Sequence, residues 1–378
     1  MKVLIAGDFV PNCRTISPIN SGDFRCIDQL KPIIQSADYS IVNYESPVLL
    51  GDSNRILKTG PSLSCSERAM ECVAQAGFNC ITLANNHFRD YGQEGVQDTL
   101  EISCKYNIDH VGGGKNLDEA SNVLYKLIDG KILAVINFCE NEWSIATHNY
   151  GGSAPMDPVK NFNTIREARQ KSDYVLVIIH GGIEGYQYPT QRMVDTYRFF
   201  IDAGADAVVN HHQHCFSGYE IYNSKPIFYG LGNFCFDKNN PNDFLWTRGY
   251  LVIINFNKLG VNYEIIPYVQ CAEHPIVNLL HEQDKRLFFD ELMYINEVIS
   301  NVKLLKDKYD AFLDKIGRGR LLALEPINNK YIRALQSRGF LPKLLTGKVI
   351  LRLYNSIRCE SHKEVLMSLL QREINNSI

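Results

Sequence analysis

The sequence predicts an α/β fold with two sheets packed together and a helical appendage behind them. Three observations carry this. Short, almost continuously apolar runs alternate with helix-period segments through the first half of the chain. β-rich runs separated only by turns follow, and helical periodicity takes over after Pro275. Strands apolar along their whole length are those buried on both faces, and strand–helix repetition builds a parallel sheet with crossover helices.

Residues 3–9, 39–45, 80–85, 131–138 and 174–180 read as the buried strands, and 64–76, 94–106, 162–171 and 190–203 as the helices between them. Ser64 with Glu67 three positions on has the form of a capping box, and Gly77 and Gly204 stand where helices stop. Residues 207–211, 225–231, 249–256 and 261–269 form a run of expected antiparallel strands. Asn257-Lys258-Leu259-Gly260 is the turn of a hairpin. This second run argues for two sheets rather than one open sheet. Further on, Leu292, Ile295, Ile299, Val302, Leu305, Tyr309, Phe312 and Ile316 mark one helical face, which Gly317-Arg318-Gly319 is expected to end. The predicted division is therefore 1–274 for the sheet domain and 275–378 for the appendage.

Composition narrows the function classes. The 378 residues carry a formal net charge of −3, with 45% hydrophobic and 21% charged residues, which is ordinary for a globular chain. No basic excess or aromatic-plus-basic segment points to nucleic acid. No apolar run approaches the roughly 18 residues of a membrane span, and Asp8 ends the short apolar N-terminus, so a cytoplasmic location is expected. The 11 cysteines include Cys80, Cys139, Cys215 and Cys235 inside apolar segments and form no C-x-x-C pairs, which reads as buried reduced thiols.

Six segments place a polar group where an apolar strand ends. Gly7-Asp8 closes the first, putting a carboxylate in the crevice where α/β proteins bind ligands. Asn43-Tyr44-Glu45 closes the second. A buried carboxylate there needs a partner, either a metal or an Arg. Asn85-Asn86-His87 offers two amides and an imidazole, and His180-Gly181-Gly182 an imidazole beside two permissive glycines. Asn210-His211-His212-Gln213-His214 is the strongest signal, because three histidines in four positions are poor packing residues and good nitrogen ligands. In extended backbone His212 and His214 would share one side. Asn233, after Gly230-Leu231-Gly232, either orients a ligand or follows a glycine-permitted bend. Together these oxygen and nitrogen donors suit one or two divalent ions, Mn, Fe or Zn, which can activate water and stabilise a leaving oxygen.

Over residues 1–269 these ordered motifs, with His180-Gly181-Gly182-x-Glu184 and Pro226 to Phe234, resemble the CapA-type proteins of poly-γ-glutamate and bacterial capsule synthesis (PGA_cap). That family has the metallophosphoesterase-like (calcineurin-like) fold. The resemblance implies an αββα sandwich of two mixed sheets. It implies that Asp8 ligates one metal and Glu45 bridges two, that Asn86, His180 and His212 hold the second, and that His214 completes the first. His87 would be the proton donor and Glu184 would bind water or substrate, with Asn43, Asn85, His211 and Asn233 as supporting or substrate residues. The chain departs from the superfamily's Asp-x-His start, since Phe9 and Val10 follow Asp8, and has Glu45 where an Asp bridge is usual.

The expected function is a metal-dependent hydrolase, phosphoesterase-like or amide-directed, acting on a small-molecule or polymer substrate in capsule, poly-γ-glutamate or other cell-surface polymer synthesis. The alternative is a non-catalytic, metal-binding accessory of a capsule-synthesis assembly, partnered by other capsule-synthesis proteins. A third expectation concerns the tail, where Lys330, Arg333, Arg338, Lys343, Lys348, Arg352, Arg358, Lys363 and Arg372 outnumber Glu360, Glu364 and Glu373. It allows weak peripheral contact with a membrane surface.

Overall fold

A computed structural model describes residues 1–238, 240, 242–324, 329–342 and 344–376. Lys343, one of the basic tail positions, lies outside the described residues. The strands are β1 (Lys2–Val10), β2 (Tyr39–Tyr44), β3 (Cys80–Thr82), β4 (Asp109–Val111), β5 (Leu124–Ile128), β6 (Lys131–Cys139), β7 (Tyr174–His180), β8 (Ala207–His211), β9 (Tyr219–Tyr222), β10 (Lys225–Phe228), β11 (Asn233–Phe236), β12 (Arg248–Asn257), β13 (Gly260–Gln270) and β14 (Val277–Leu279). The first sheet runs β14-β13-β12-β1-β2-β3-β4, with β11 also pairing β1, and the second runs β9-β10-β8-β7-β6-β5.

Side-chain alternation explains the layering. Val3, Ile5 and Ile41 of the first sheet share one buried cluster with Leu133, Val177 and Val208 of the second, so these faces meet. Their neighbours Leu4, Ala6 and Val42 point the other way. They pack with Met70 and Val73 of α1 (Glu67–Ala76) and Val96 and Leu100 of α2 (Gly92–Lys105). On the second sheet, Ile165 and Ala168 of α3 (Pro158–Lys171) and Val194 and Phe200 of α4 (Gln191–Ala203) join the first cluster. The result is the two-sheet αββα sandwich that the sequence predicts.

Three local readings change. The helix expected from Ser64 begins at Glu67 with Ser66 at its N-cap, so Ser64 lies outside it. Of the strands expected to be antiparallel, β8 and β10 are parallel. The intervening edge strand β9 makes the hairpin with β10 instead, through Asn223 and Ser224, both in the left-handed region. Only β12 and β13 form the expected hairpin, pairing Asn257 with Gly260. The late apolar helical face is split between α5 (Glu282–Ser300) and α6 (Val302–Leu322). Asn301 interrupts it and caps α6, its Oδ1 accepting from the backbone of Lys303 and Leu304. Gly317-Arg318-Gly319 lies inside α6, which ends at Leu322.

The chain forms two compact units, Met1–Lys306 and Asp307–Ile378. The first extends past the division the sequence suggests at 275, because β14 joins the first sheet and α5 inserts Phe288, Leu292, Ile295 and Ile299 into the main core. The second unit contains α7 (Lys330–Ser337), α8 (Gly347–Arg358) and α9 (Glu360–Asn376).

Candidate metal centre

β1, β2 and β3 are mutually parallel, as are β6, β7 and β8, so the carboxyl ends within each set lie together. Asp8 sits near the end of β1 at a register irregularity against both β2 and β11. Such irregularities re-aim a side chain. Gly7 permits it, since a Cβ there would stand 1.9 Å from the Gly232 carbonyl oxygen. Glu45 directly follows β2, and Asn86 and His87 lie in the turn after β3. His180 and His211 are paired in register at the ends of β7 and β8.

His212 and His214 reach the site differently from the extended arrangement the sequence suggests. Their φ angles are +95° and +56°, so the loop turns through left-handed conformations rather than alternating sides. For a non-glycine residue this is a strained path, characteristic of functional loops.

The donor atoms converge. His180 Nε2 is 3.0 Å from Asn86 Oδ1, 3.0 Å from His212 Nδ1 and 3.4 Å from Glu45 Oε1. One proton on that nitrogen can satisfy only one of these acceptors, whereas a cation could satisfy them all. Asp8 Oδ2 is 3.4 Å from His214 Nδ1, and Glu45 Oε1 is 3.9 Å from His214 Nε2. Two groups of possible ligands result, Glu45 with His180 and His212, and Asp8 with Glu45 and His214, all buried and sharing Glu45. Both Glu45 oxygens and Asp8 Oδ2 are buried without a hydrogen-bond partner. Unpaired buried carboxylate oxygens are costly, and a divalent cation is the partner that fits them.

Electrostatics follow from burial. Burial pushes His180 and His211 down to about 4 and His212 well below the usual histidine range, so all three are neutral lone-pair donors at neutral pH. Burial also acts on His214, but Glu45 and Asp8 outweigh it and raise it to about 9. Glu45 is raised well above the carboxylate range by burial and then by Asp8. Burial raises Asp8 too, yet the neighbouring imidazoles of His214, His211 and His180 hold it low.

Supporting residues set orientations. Asn43 Nδ2 donates to Asp8 Oδ1 at 2.7 Å and its Oδ1 accepts from Thr82. Asn233 accepts from His214 Nδ1 at 3.0 Å, leaving Nε2 turned toward Glu45, while its amide donates to the His214 carbonyl. The bend at Gly232 thus serves the site by placing Asn233. Asn85 donates to the Tyr44 carbonyl and accepts from the His87 backbone, so it shapes the turn. His211 is buried with both ring nitrogens unpartnered, 3.5 Å from Asp8 Oδ1. Glu184 is exposed on the loop after β7 and adds to the upward shift of Glu45.

His87 belongs to a triad the sequence reading did not assemble. Its Nδ1 donates to Asp90 Oδ2 at 2.6 Å, which fixes the tautomer and leaves Nε2 free to hold or pass a proton. Lys58, with a 4% exposed side chain, pairs with the other Asp90 oxygen. Asp90 was readable three positions after His87, but no sequence signal marks Lys58, which comes from a loop. Glu142, 3.7 Å from His212 Nε2, was also missed. It follows the end of β6, so the strand-end criterion could have found it.

Residues 2–238 match the family model described as bacterial capsule synthesis protein PGA_cap. The chain belongs to that family. This PGA_cap protein is 34% identical over 227 residues to the capsule biosynthesis protein CapA of Bacillus anthracis, covering 58% of this chain and 54% of that one. To the PGA biosynthesis protein CapA of Bacillus subtilis it is 33% identical over 245 residues, covering 63% of each chain. It thus spans less than two thirds of either relative. A probable polyglutamine synthesis accessory protein of Mycobacterium tuberculosis is 28% identical over 165 residues, covering 40% of this chain and 43% of that one. Among the described residues no helix is long and apolar enough to cross a membrane.

Proposed function

We propose that this PGA_cap protein is a metal-dependent hydrolase of the metallophosphoesterase type, acting on a phosphoester or an amide in capsule, poly-γ-glutamate or other cell-surface polymer synthesis. The observation that carries the reading is the pair of buried ligand groups sharing Glu45, whose oxygens accept no hydrogen bond among the described residues. Divalent ions of the Mn, Fe or Zn kind, when bound, would supply water activation and charge neutralisation at the leaving oxygen. Asp8, Glu45 and His214 would hold one, and Glu45, Asn86, His180 and His212 the other.

The remaining chemistry belongs to the chain. Asn43 and Asn233 fix the directions of Asp8 and His214. His87 would protonate the leaving group from Nε2, with Asp90 stabilising the imidazolium. Glu184 would bind water or substrate at the rim. The test is metal content by mass spectrometry on wild type beside His212→Ala, followed by screening aryl phosphodiesters, phosphomonoesters and γ-glutamyl amides. One to two equivalents lost in the variant, with turnover of one substrate class, is the expected result. Protein that holds no metal under any loading condition would sink the proposal.

The accessory reading has one observation of its own, the name of the mycobacterial relative, a probable polyglutamine synthesis accessory protein. It requires metal binding without turnover of any of these substrates, and a capsule-synthesis partner held by the full chain.

A further inference from the structure

The second compact unit carries two helices whose apolar faces remain open. In α8, at about 100° per residue, Val349, Ile350, Leu353, Tyr354 and Ile357 fall on one side, with Leu351 at its edge. Lys348, Arg352, Asn355 and Ser356 fall on the other. No residue of α8 is buried, and Leu351, Tyr354 and Ile357 are each more than half exposed. In α7, Tyr331 and Leu335 lie on one side and Arg333 on the other, with Tyr331 69% exposed and the Lys330 ammonium 5.1 Å from its ring centroid. Phe340, just beyond α7, is 73% exposed. A solvated helix face explains exposed lysines and arginines, but not this much exposed apolar and aromatic surface on the same helices.

Charge supplies the second argument. Residues 330–378 contain nine of the chain's 39 Lys and Arg and three of its 42 Asp and Glu, a surplus of six positive charges in a chain of net charge −3. A soluble polyanion would use the basic groups and leave the apolar faces in water. A neutral protein groove would use the apolar faces and leave the charge unexplained. An anionic lipid surface uses both, since apolar side chains enter the acyl boundary while Lys and Arg meet the headgroups.

We propose that residues 330–342 and 344–376 form a peripheral docking surface for anionic lipid, with α8 lying along the membrane and its apolar side inserted. The inference is independent of the metal centre. The test is flotation of the full chain with vesicles of phosphatidylcholine alone or mixed with phosphatidylglycerol. Wild type should float with the mixed vesicles only, and high salt should release it. Each Lys or Arg near such a surface contributes about fivefold in affinity, so Lys348→Glu with Arg352→Glu should weaken binding at least ~tenfold. Leu351→Ser with Ile357→Ser should weaken it comparably. All four side chains are exposed, so unfolding is not expected, and circular dichroism checks it. Equal binding to both vesicle types, or none to either, would overturn the proposal. So would light scattering that shows a dimer converted to monomer by the serine variant, since a second copy would then cover the face.

Discussion

Glu45→Gln separates the needs of the site from those of the fold. Glu45 is fully buried, with neither carboxylate oxygen hydrogen-bonded. Burial first, then Asp8, raises its pKa well above the ordinary 4.5. A carboxyl raised in the folded state costs nothing below its unfolded value, and it destabilises increasingly as pH climbs from there toward the folded value. At neutral pH the metal-free wild type therefore carries this cost and the glutamine variant does not. An unsatisfied buried polar group costs about 1–3 kcal/mol, and the glutamine amide still needs partners, so the net gain is about 1–2 kcal/mol. For a domain this large that raises the melting temperature of chelator-treated protein by roughly 2–6 °C. With a divalent ion at ~1,000 times its Kd the order should reverse, because wild type gains about 4 kcal/mol and the variant has lost the ligand common to both groups. Scanning calorimetry with chelator and with excess Mn measures both. A variant less stable than wild type in chelator, or stabilised by metal as much as wild type, would refute the reasoning.

The other predictions concern protons, orientation and packing. His214 is raised to about 9 and is charged at neutral pH, so metal binding must expel its proton. Apparent affinity should rise about tenfold per pH unit or more from pH 7 to about 9 and flatten above, with proton release read by calorimetry in buffers of different ionisation enthalpy; a pH-independent affinity would contradict it. Asp90→Asn keeps the shape but not the charge that holds His87, and should lower turnover of any substrate found by about 10²–10⁴-fold while metal content stays at wild-type levels. Gly7→Ala, whose new carbon would meet the Gly232 carbonyl at 1.9 Å, should cost about 1–3 kcal/mol in chemical denaturation, and a near-neutral result would mean that β1 and β11 can separate cheaply.

Residue type and strand position carried much of the site. Asp8, Glu45, Asn85-Asn86-His87, His180, His211 to His214 and Asn233 stood out as candidates because a polar group ending an apolar strand is expensive to bury without a purpose, whereas the choice of Asp8, Glu45, Asn86, His180, His212 and His214 as ligands rested on the family resemblance. The second sheet was readable from the run of strands after residue 207, which are separated by turns rather than crossover helices. Local periodicity also located α1 to α4, although it could not place Asn301, where a cap interrupts an unbroken apolar pattern.

Tertiary structure decided what depends on distant segments meeting. The parallel direction of β8 and β10 rests on the edge strand β9 between them, whose half-exposed residues give a weak sequence signal. The left-handed turns at His212 and His214 decide which way those rings face, and no residue there is a glycine that would announce them. Lys58 finds Asp90 across 32 positions, and Asn233 finds His214 across 19. Such pairings depend on which loops the two sheets bring to one crevice. The sequence by itself therefore determined which candidate donors the strand ends offer, because burial cost is a property of each residue and its strand. Only the fold decided how they are grouped, with Glu45 common to both sets and His87 aimed by Asp90, because distance and direction exist only once the sheets are stacked.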